Sequence, residues 1–303
     1  MKTVVTSLAM RQQQGYDVYV LANDEIELAV VPELGARIIS LKNLRTGREW
    51  MWHPSCGLKL FRNKPGDEFT QSPLVGADEC LPTIAACSWK DRKLPDHGEV
   101  WSVPWEVDTE ALSKGVLRTS VRLAISPLAF ERTIELSGNE LCLGYQLTNS
   151  GAQPESFLWA IHPLLRLEAG DSLDMPSSTR ALLDGADWVD AVDSAMPKDN
   201  CAKIFAAPIR EGSVTIKNRC TGDFLKFLWD PKENSALGLW LSRGGWQGHH
   251  HFAVEPTNAD ADALAVAAER NRCGMVAASG FVTWQVRLRI GSRLNRRSVN
   301  QVL

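Results

Sequence analysis

Residues 116–149 read VLRTSVRLAISPLAFERTIELSGNELCLGYQLTN, and this stretch decides the fold class. Three runs of alternating apolar character, Val116 to Ile125, Ala129 to Leu136 and Leu141 to Leu147, are strand candidates. Between them stand Ser126-Pro127 and Ser137-Gly138-Asn139, and Asn149-Ser150-Gly151 closes the set; all are turn chemistry. Connections this short cannot hold a crossover helix, so the runs pair as antiparallel hairpins.

The same pattern extends outward in both directions. Toward the N-terminus, Val18 to Leu21, Ile26 to Val31 and Ala36 to Leu41 form a meander broken by Asn23-Asp24 and Pro32-Glu33-Leu34-Gly35. Val100 to Val107 reads as another strand. Toward the C-terminus come Phe157 to Leu167, Ala202 to Phe205, Ser213 to Lys217, Phe224 to Trp229, Ala236 to Leu241 and the strictly alternating Phe281 to Ile290. Residues 168–200 are acidic and loop-like, with part of the segment a candidate for helix. The strongest helix candidate is Asp260 to Asn271, capped by Asn258 or Asp260 and followed by Gly274. About fifteen strand runs against one helix predict an all-β protein, a large antiparallel β-sandwich or a barrel. No linker divides the chain and no fixed-period repeat is present, so one domain over residues 1–303 is expected.

Composition limits the functions. The chain has 303 residues, 44% hydrophobic and 23% charged, enough for a large core. Its net charge is −3 with dispersed basic residues, which gives no electrostatic footprint for nucleic acid. Seven cysteines, an odd number without a Cys-x-x-Cys pair, read as reduced structural thiols. The opening MKTVVTSLAMRQQQ has too short an apolar run for a secretory signal, and no stretch is long enough for a membrane span. A cytoplasmic location and no membrane partner are therefore expected; the oligomeric state is not legible. Eleven tryptophans against three tyrosines stand out, since indole fills cores and also stacks on the C–H face of a sugar.

The candidate chemical groups lie at strand ends and in one irregular segment. In His249–Leu264, HHHFAVEPTNADADAL, Glu255 follows an apolar run and precedes Pro256. It reads either as a surface residue at a strand end or as a carboxylate facing a cavity on the same strand face as Ala253, His251 and His249. His162 lies in the apolar Phe157–Leu164, where Pro163 marks an edge or a bulge. It is either a satisfied core residue or a site group whose apolar flanks bring its pKa near neutrality. His97 stands at the exit of residues 55–98, a long irregular segment of the kind that carries function. The run His249-His250-His251 allows at most His249 and His251 to converge, without a carboxylate to complete a standard set, so no metal is expected. Most tryptophans read as core, with Trp101, Trp159 and Trp246 as stacking candidates beside these motifs.

In order and spacing, Val31-Pro32-Glu33-Leu34-Gly35-Ala36-Arg37-Ile38, Thr46-Gly47-Arg48-Glu49, Pro95-Asp96-His97-Gly98, His162-Pro163-Leu164-Leu165 and Val254-Glu255-Pro256 resemble the aldose 1-epimerase, or galactose mutarotase-like, family. The resemblance covers roughly residues 25–290. It implies a large antiparallel β-sandwich, a cofactor-independent reaction on a small carbohydrate, Glu255 as general base, His162 as general acid and His97 as a substrate-orienting partner. One departure is that Gly76-Ala77-Asp78-Glu79-Cys80 stands where many members carry a sugar-binding arginine. Asp78 and Glu79 are then either acceptors for sugar hydroxyls or an acidic loop in solvent. Trp229-Asp230-Pro231 and the proline at 82 are similar to the hexose-6-phosphate branch, which makes Asp230 a further substrate-binding candidate. The phosphate-holding arginine of that branch is replaced within Glu99-Val100-Trp101, and an acidic residue there argues for an unphosphorylated sugar. His251, about 13 Å from Glu255 along the strand, is expected at the pocket mouth. A non-catalytic sugar-binding or sensing protein on the same fold is the alternative.

Overall fold

In the computed structural model, which describes residues 6–73, 75–183 and 199–292, the hairpins of the 116–149 stretch pair in the expected order. Leu117–Arg122, Leu128–Ser137 and Glu140–Asn149 are consecutive antiparallel neighbours, with registers such as Phe130↔Val121 and Phe130↔Leu147. Alternate residues of these strands, Phe130, Ile134, Leu141, Leu143 and Leu147, are buried, so the period-2 pattern reports one core-facing side.

Two large antiparallel sheets hold the core between them. The first runs Ser7–Gln13, Tyr16–Ala22, Ile26–Val31, Arg37–Asn43, Ala77–Cys80, Ala160–Pro163, His250–Thr257, Ala236–Arg243, Asn200–Ala206, with Leu165–Arg166 also pairing to His250–Thr257. The second runs Asp171–Asp174, Ser213–Asn218, Asp223–Trp229, Phe281–Ser292, Glu140–Asn149, Leu128–Ser137, Leu117–Arg122, Glu106–Val107. One cluster of buried apolar side chains draws on both sheets, including Leu28, Ile161, Val254, Phe130, Phe227 and Trp284. This is the large antiparallel β-sandwich expected from the sequence.

Several local expectations are corrected. The helix is Leu264–Glu269, shorter than the span read from the sequence, and Ala263 begins it without a side-chain cap. Asn258 is committed elsewhere: it accepts from the Trp159 amide and donates to the Phe157 carbonyl. Gly274 begins a short strand, Gly274–Val276. Only Glu106–Val107 of the run from Val100 is strand, because residues 99–103 form bends and turns and Pro104 lacks the amide a ladder needs. Within the acidic segment, Asp171–Asp174 is strand and Ser177–Arg180 a helical turn, while residues 184–198 lie outside the described residues. The first strand, Ser7–Gln13, was not foreseen, since it is mostly exposed and carries no clear alternation.

The feature that positions the site is a break at the centre of the first sheet. Ala160–Pro163 pairs with His250–Thr257 only at Ala160↔Thr257, and pairing resumes at Leu165↔Phe252. Pro163 on one strand and Pro256 on the other each lack an amide donor within this interval. Pro163 is therefore neither at an edge nor in a simple bulge: it sits mid-sheet, and the chain breaks there into Ala160–Pro163 and Leu165–Arg166.

Candidate functional site

His162 and Glu255 stand in that break, on the sheet face turned away from the second sheet. Their neighbours Ile161 and Val254 point the other way, into the shared core. Glu255 is fully buried inside a strand that continues to Thr257, which overturns the reading of a surface carboxylate at a strand end. His162 Nε2 lies 3.4 Å from Glu255 Oε1. Cross-strand register explains the room around the carboxylate. Gly238 is directly opposite Glu255, and a Cβ there would lie 3.0 Å from Oε2. Ala253, the next residue on this face, adds only a methyl group.

A cavity of 240 Å³ opens over this face, lined by Phe69, Thr70, Ile84, Ala85, Asp96, His97, His162, Leu164, Lys203, Trp240, Trp246, His251 and Asp262. The irregular segment supplies a whole wall of it. Within that wall His97 stacks on Phe69 at 3.7 Å between ring centroids, and its ring lies 5.4 Å from that of His162. His97 Nδ1 is 2.9 Å from Asp96 Oδ1, so a carboxylate orients the imidazole. The following glycine is a close-approach position: Gly98 has φ +77°, and a Cβ would lie 2.1 Å from the Leu81 carbonyl oxygen. The loop is tied down by Trp101, whose Nε1 donates to the Asp96 carbonyl at 2.9 Å.

Two functional candidates were missed in the sequence, and both touch the centre. Lys203 Nζ is 2.8 Å from Glu255 Oε2 and 2.9 Å from Asp262 Oδ1. Register places it there: Lys203 pairs with Trp240, beside the row Phe205, Gly238, Glu255, and the missing side chain at Gly238 lets the ammonium reach across. Burial alone would raise the Glu255 carboxyl, but Lys203 and then His162 offset it and hold the group below the usual carboxylate range. Burial likewise works against the Lys203 ammonium, yet Glu255 and Asp262 together raise its pKa, so it stays charged. Asp262 is fixed through its backbone, whose carbonyl accepts from the Ile84 and Ala85 amides at 2.9 and 2.7 Å.

His162 and His251 are more basic in peptides than here. Burial lowers His162 to about 4, against the pull of Glu255. The expected near-neutral value is thus overshot, because the apolar flanks desolvate the ring more than the carboxylate compensates. His251 is fully buried on the cavity wall, with a pKa of about 3, lowered mainly by burial. Both its ring nitrogens lack a hydrogen-bond partner, and Trp52, Trp246 and Trp240 surround it at 5.0, 5.5 and 6.5 Å.

Other expected substrate contacts do not reach the cavity. Asp78 and Glu79 are buried in Ala77–Cys80 and already paired: Arg37 Nε donates to Asp78 at 2.8 Å, and Arg132 Nη1 donates to Glu79 at 2.9 Å. Glu79 also accepts from Tyr145 Oη at 3.0 Å and Trp159 Nε1 at 2.9 Å. Trp101 and Trp159 are therefore structural, and of the stacking candidates Trp246 lines the cavity. Asp230 sits in an exposed turn and accepts from the Lys232 amide. Glu99 faces a different cleft and accepts from the Ile125 and Ser126 amides, so it has no bearing on phosphate. That larger cleft, 490 Å³, gathers no group of imidazoles and carboxylates. Among the described residues no cluster of His, Cys, Asp or Glu is arranged to hold a metal, all seven cysteines are free, and no helix is long and apolar enough to cross a membrane.

Comparison with known proteins agrees with this architecture. No family model matches the chain, and no curated protein matches it. Among solved structures, a galactose mutarotase-like protein from Clostridium acetobutylicum is similar at 12% identity and TM-score 0.69, over 96% of this chain and 100% of that one. A galactose mutarotase related enzyme from Lactobacillus acidophilus is similar at 16% identity and TM-score 0.67, over 91% and 97%. A TPR-domain containing protein from Parabacteroides distasonis is similar at 11% identity and TM-score 0.64, over 99% of this chain and 56% of that one. At such identities the likeness establishes a galactose mutarotase-like fold.

Proposed function

We propose that this protein is a cofactor-independent mutarotase that interconverts the α and β anomers of an unphosphorylated sugar. The observation that carries the reading is that His162 and His97 meet on one small, largely apolar cavity with the buried Glu255 directly behind them, its Oε1 3.4 Å from His162 Nε2. In the ring-opening step Glu255 takes the proton of the C1 hydroxyl and His162 gives a proton to the ring oxygen. The bond from C1 to the ring oxygen breaks and a carbonyl forms at C1. After rotation of the aldehyde, closure returns both protons to their donors, so the balance needs no other reactant. His97, oriented by Asp96, holds a sugar hydroxyl, and His251 offers one donor and one acceptor to a further hydroxyl. The fit to a neutral ligand rests on charge: Lys203, the one lysine or arginine lining the cavity among the described residues, is already paired with two carboxylates.

A second reading, a protein that binds a sugar without turning it over, is favoured by a specific observation. Glu255 has no exposed surface, and His162, with a pKa of about 4, is neutral at pH 7. Catalysis therefore requires that the sugar itself unlocks the carboxylate and raises the imidazole. NMR exchange spectroscopy on a panel of free aldoses separates the readings. Wild-type protein is expected to accelerate anomer exchange of at least one sugar, and Glu255→Gln to reduce that acceleration by ~10²-fold or more while still binding. A sugar that binds wild-type protein and exchanges at the solvent rate decides for the binding protein.

A further inference from the structure

We propose that Lys203 is a positioning residue for Glu255: its ammonium bridges Glu255 and Asp262 on the cavity wall, and yields the Glu255 face to an incoming sugar hydroxyl while remaining on Asp262. The inference rests on the mutarotase reading for its chemistry and on three independent observations for its geometry.

First, Glu255 is wholly buried, and the two side chains in contact with its carboxylate, His162 and Lys203, both line the cavity. A ligand reaches the carboxylate only past one of them. His162 is the more tightly held, because it lies on a central strand, opposite Asp78 in the register. Lys203 is on the outermost strand of that side of the sheet and retains 18% side-chain exposure. Second, Lys203 has two anchors at nearly equal distance, 2.8 and 2.9 Å. An ammonium that left for water would give up both ion pairs at once, whereas one that keeps Asp262 never becomes unpaired. Asp262 is 39% exposed and its backbone is fixed by the Ile84 and Ala85 amides, which suits it as the standing anchor. Third, an ammonium has three N–H donors, and two carboxylates engage two of them. The third is free to meet an oxygen of the ligand.

The arrangement links occupancy to chemistry. While Lys203 rests on Glu255 it keeps the carboxylate ionised but weakly basic, and its charge also disfavours protonation of His162. Moving the ammonium toward Asp262 makes Glu255 a better base and His162 easier to protonate, which are the two changes the ring-opening step needs. The other titratable groups around Glu255 are His97 across the cavity, His251 on its own strand and, beyond His162 on Ala77–Cys80, Cys80 and the Asp78 that is already paired with Arg37. None of them is a cation fixed at contact distance.

The test compares wild type with Lys203→Met, Lys203→Gln and Lys203→Arg. Without the cation, burial acts on Glu255 with less opposition, its carboxyl titrates at higher pH, and the base is lost toward acid. For Met and Gln the exchange rate falls toward acid, and the ratio of wild-type to variant rate is about tenfold or more larger near pH 5 than near pH 8. Arg restores the wild-type ratio. A loss that is the same at both pH values, or an Arg variant no better than Gln, overturns the proposal. Side-chain carboxyl ¹³C titration of Glu255 in labelled full-length protein reads the same quantity without activity. Its midpoint rises in Met and Gln, and an unchanged midpoint overturns the proposal even if exchange is slow. Wild-type protein without exchange activity sinks the mutarotase reading alone, because the titration still decides the role of Lys203. Gln keeps polar contacts to both carboxylates, so the comparison survives if Met fails to fold.

Discussion

Two buried carboxylates, Glu79 and Glu255, lie on neighbouring parts of the same sheet and have opposite surroundings. Glu79 points into the sandwich, where Arg132 reaches it from the second sheet and Tyr145 and Trp159 complete its contacts. Arg132 also donates to the Ala36 carbonyl, so this one network ties both sheets together. Glu255 points away from the sandwich. Its oxygens lack a well-directed hydrogen bond, its partners are a lysine and an imidazole on a cavity wall, and nearby His251 has no partner at either nitrogen. Buried polar groups are normally satisfied, and each unsatisfied one calls for a reason. The carboxylate whose contacts are filled is architecture; the one whose oxygens are not is poised to take a ligand. Sequence alone could not tell what surrounds each of them, since the partners of both lie far along the chain.

The contrast can be broken most directly at the architectural end. Arg132→Met leaves Glu79 buried without its cation, and the expected loss is about 3–5 kcal/mol by urea unfolding. Glu255→Gln, by comparison, is expected to cost about 1 kcal/mol or less, since Lys203 retains Asp262 and part of its surface in water. If Glu255→Gln proved as destabilising as Arg132→Met, the distinction between frame and site would collapse.

How much of this was legible follows the same line. The fold was readable because alternation in runs such as Leu128–Ser137 reports one buried face regardless of partner. His97, His162 and Glu255 were singled out by their settings, at the exit of the irregular segment, before Pro163 and before Pro256, while their roles came from the family resemblance alone. Lys203 was not. A lysine in Asn200–Ala206 looks like the solvent side of an edge strand, and its meaning depends on Gly238, two residues from its partner Trp240 on the neighbouring strand, and on Asp262, far along the chain. Asp78 and Glu79 were misassigned for a similar reason: their partners Arg37 and Arg132 are 41 and 53 residues away. The wrong cap for Leu264–Glu269 came from a competing use of Asn258, which no local rule reveals.

A finer probe of the poised region is His251. Replacement by Phe fills the same aromatic nest without the two unpartnered nitrogens, and should weaken sugar binding about tenfold by calorimetry while preserving the fold. It should also change acid sensitivity. His162 and His251 have folded pKa values of about 4 and about 3, below the ordinary 6.5. The unfolded chain therefore binds more protons, and stability falls as pH drops from about 6.5 toward these values. His251→Phe removes one of the two groups, so its unfolding midpoint should decline less steeply over that window; an unchanged slope would mean that His251 is not held neutral. The smallest expected effect concerns phosphate. With Lys203 committed to two carboxylates, glucose 6-phosphate should compete no better than glucose, a ratio of about one, and clear preference for the phosphate would place an unpaired cation at the site after all.

The cavity wall includes Trp240 and Trp246, whereas the remaining indoles of the described residues lie outside it. The molecule thereby carries its own optical reporter. Indole emission depends on local polarity, so a sugar seated against these two rings should shift the colour of the protein's intrinsic fluorescence, and anomer preference could be followed in real time without a label on either partner.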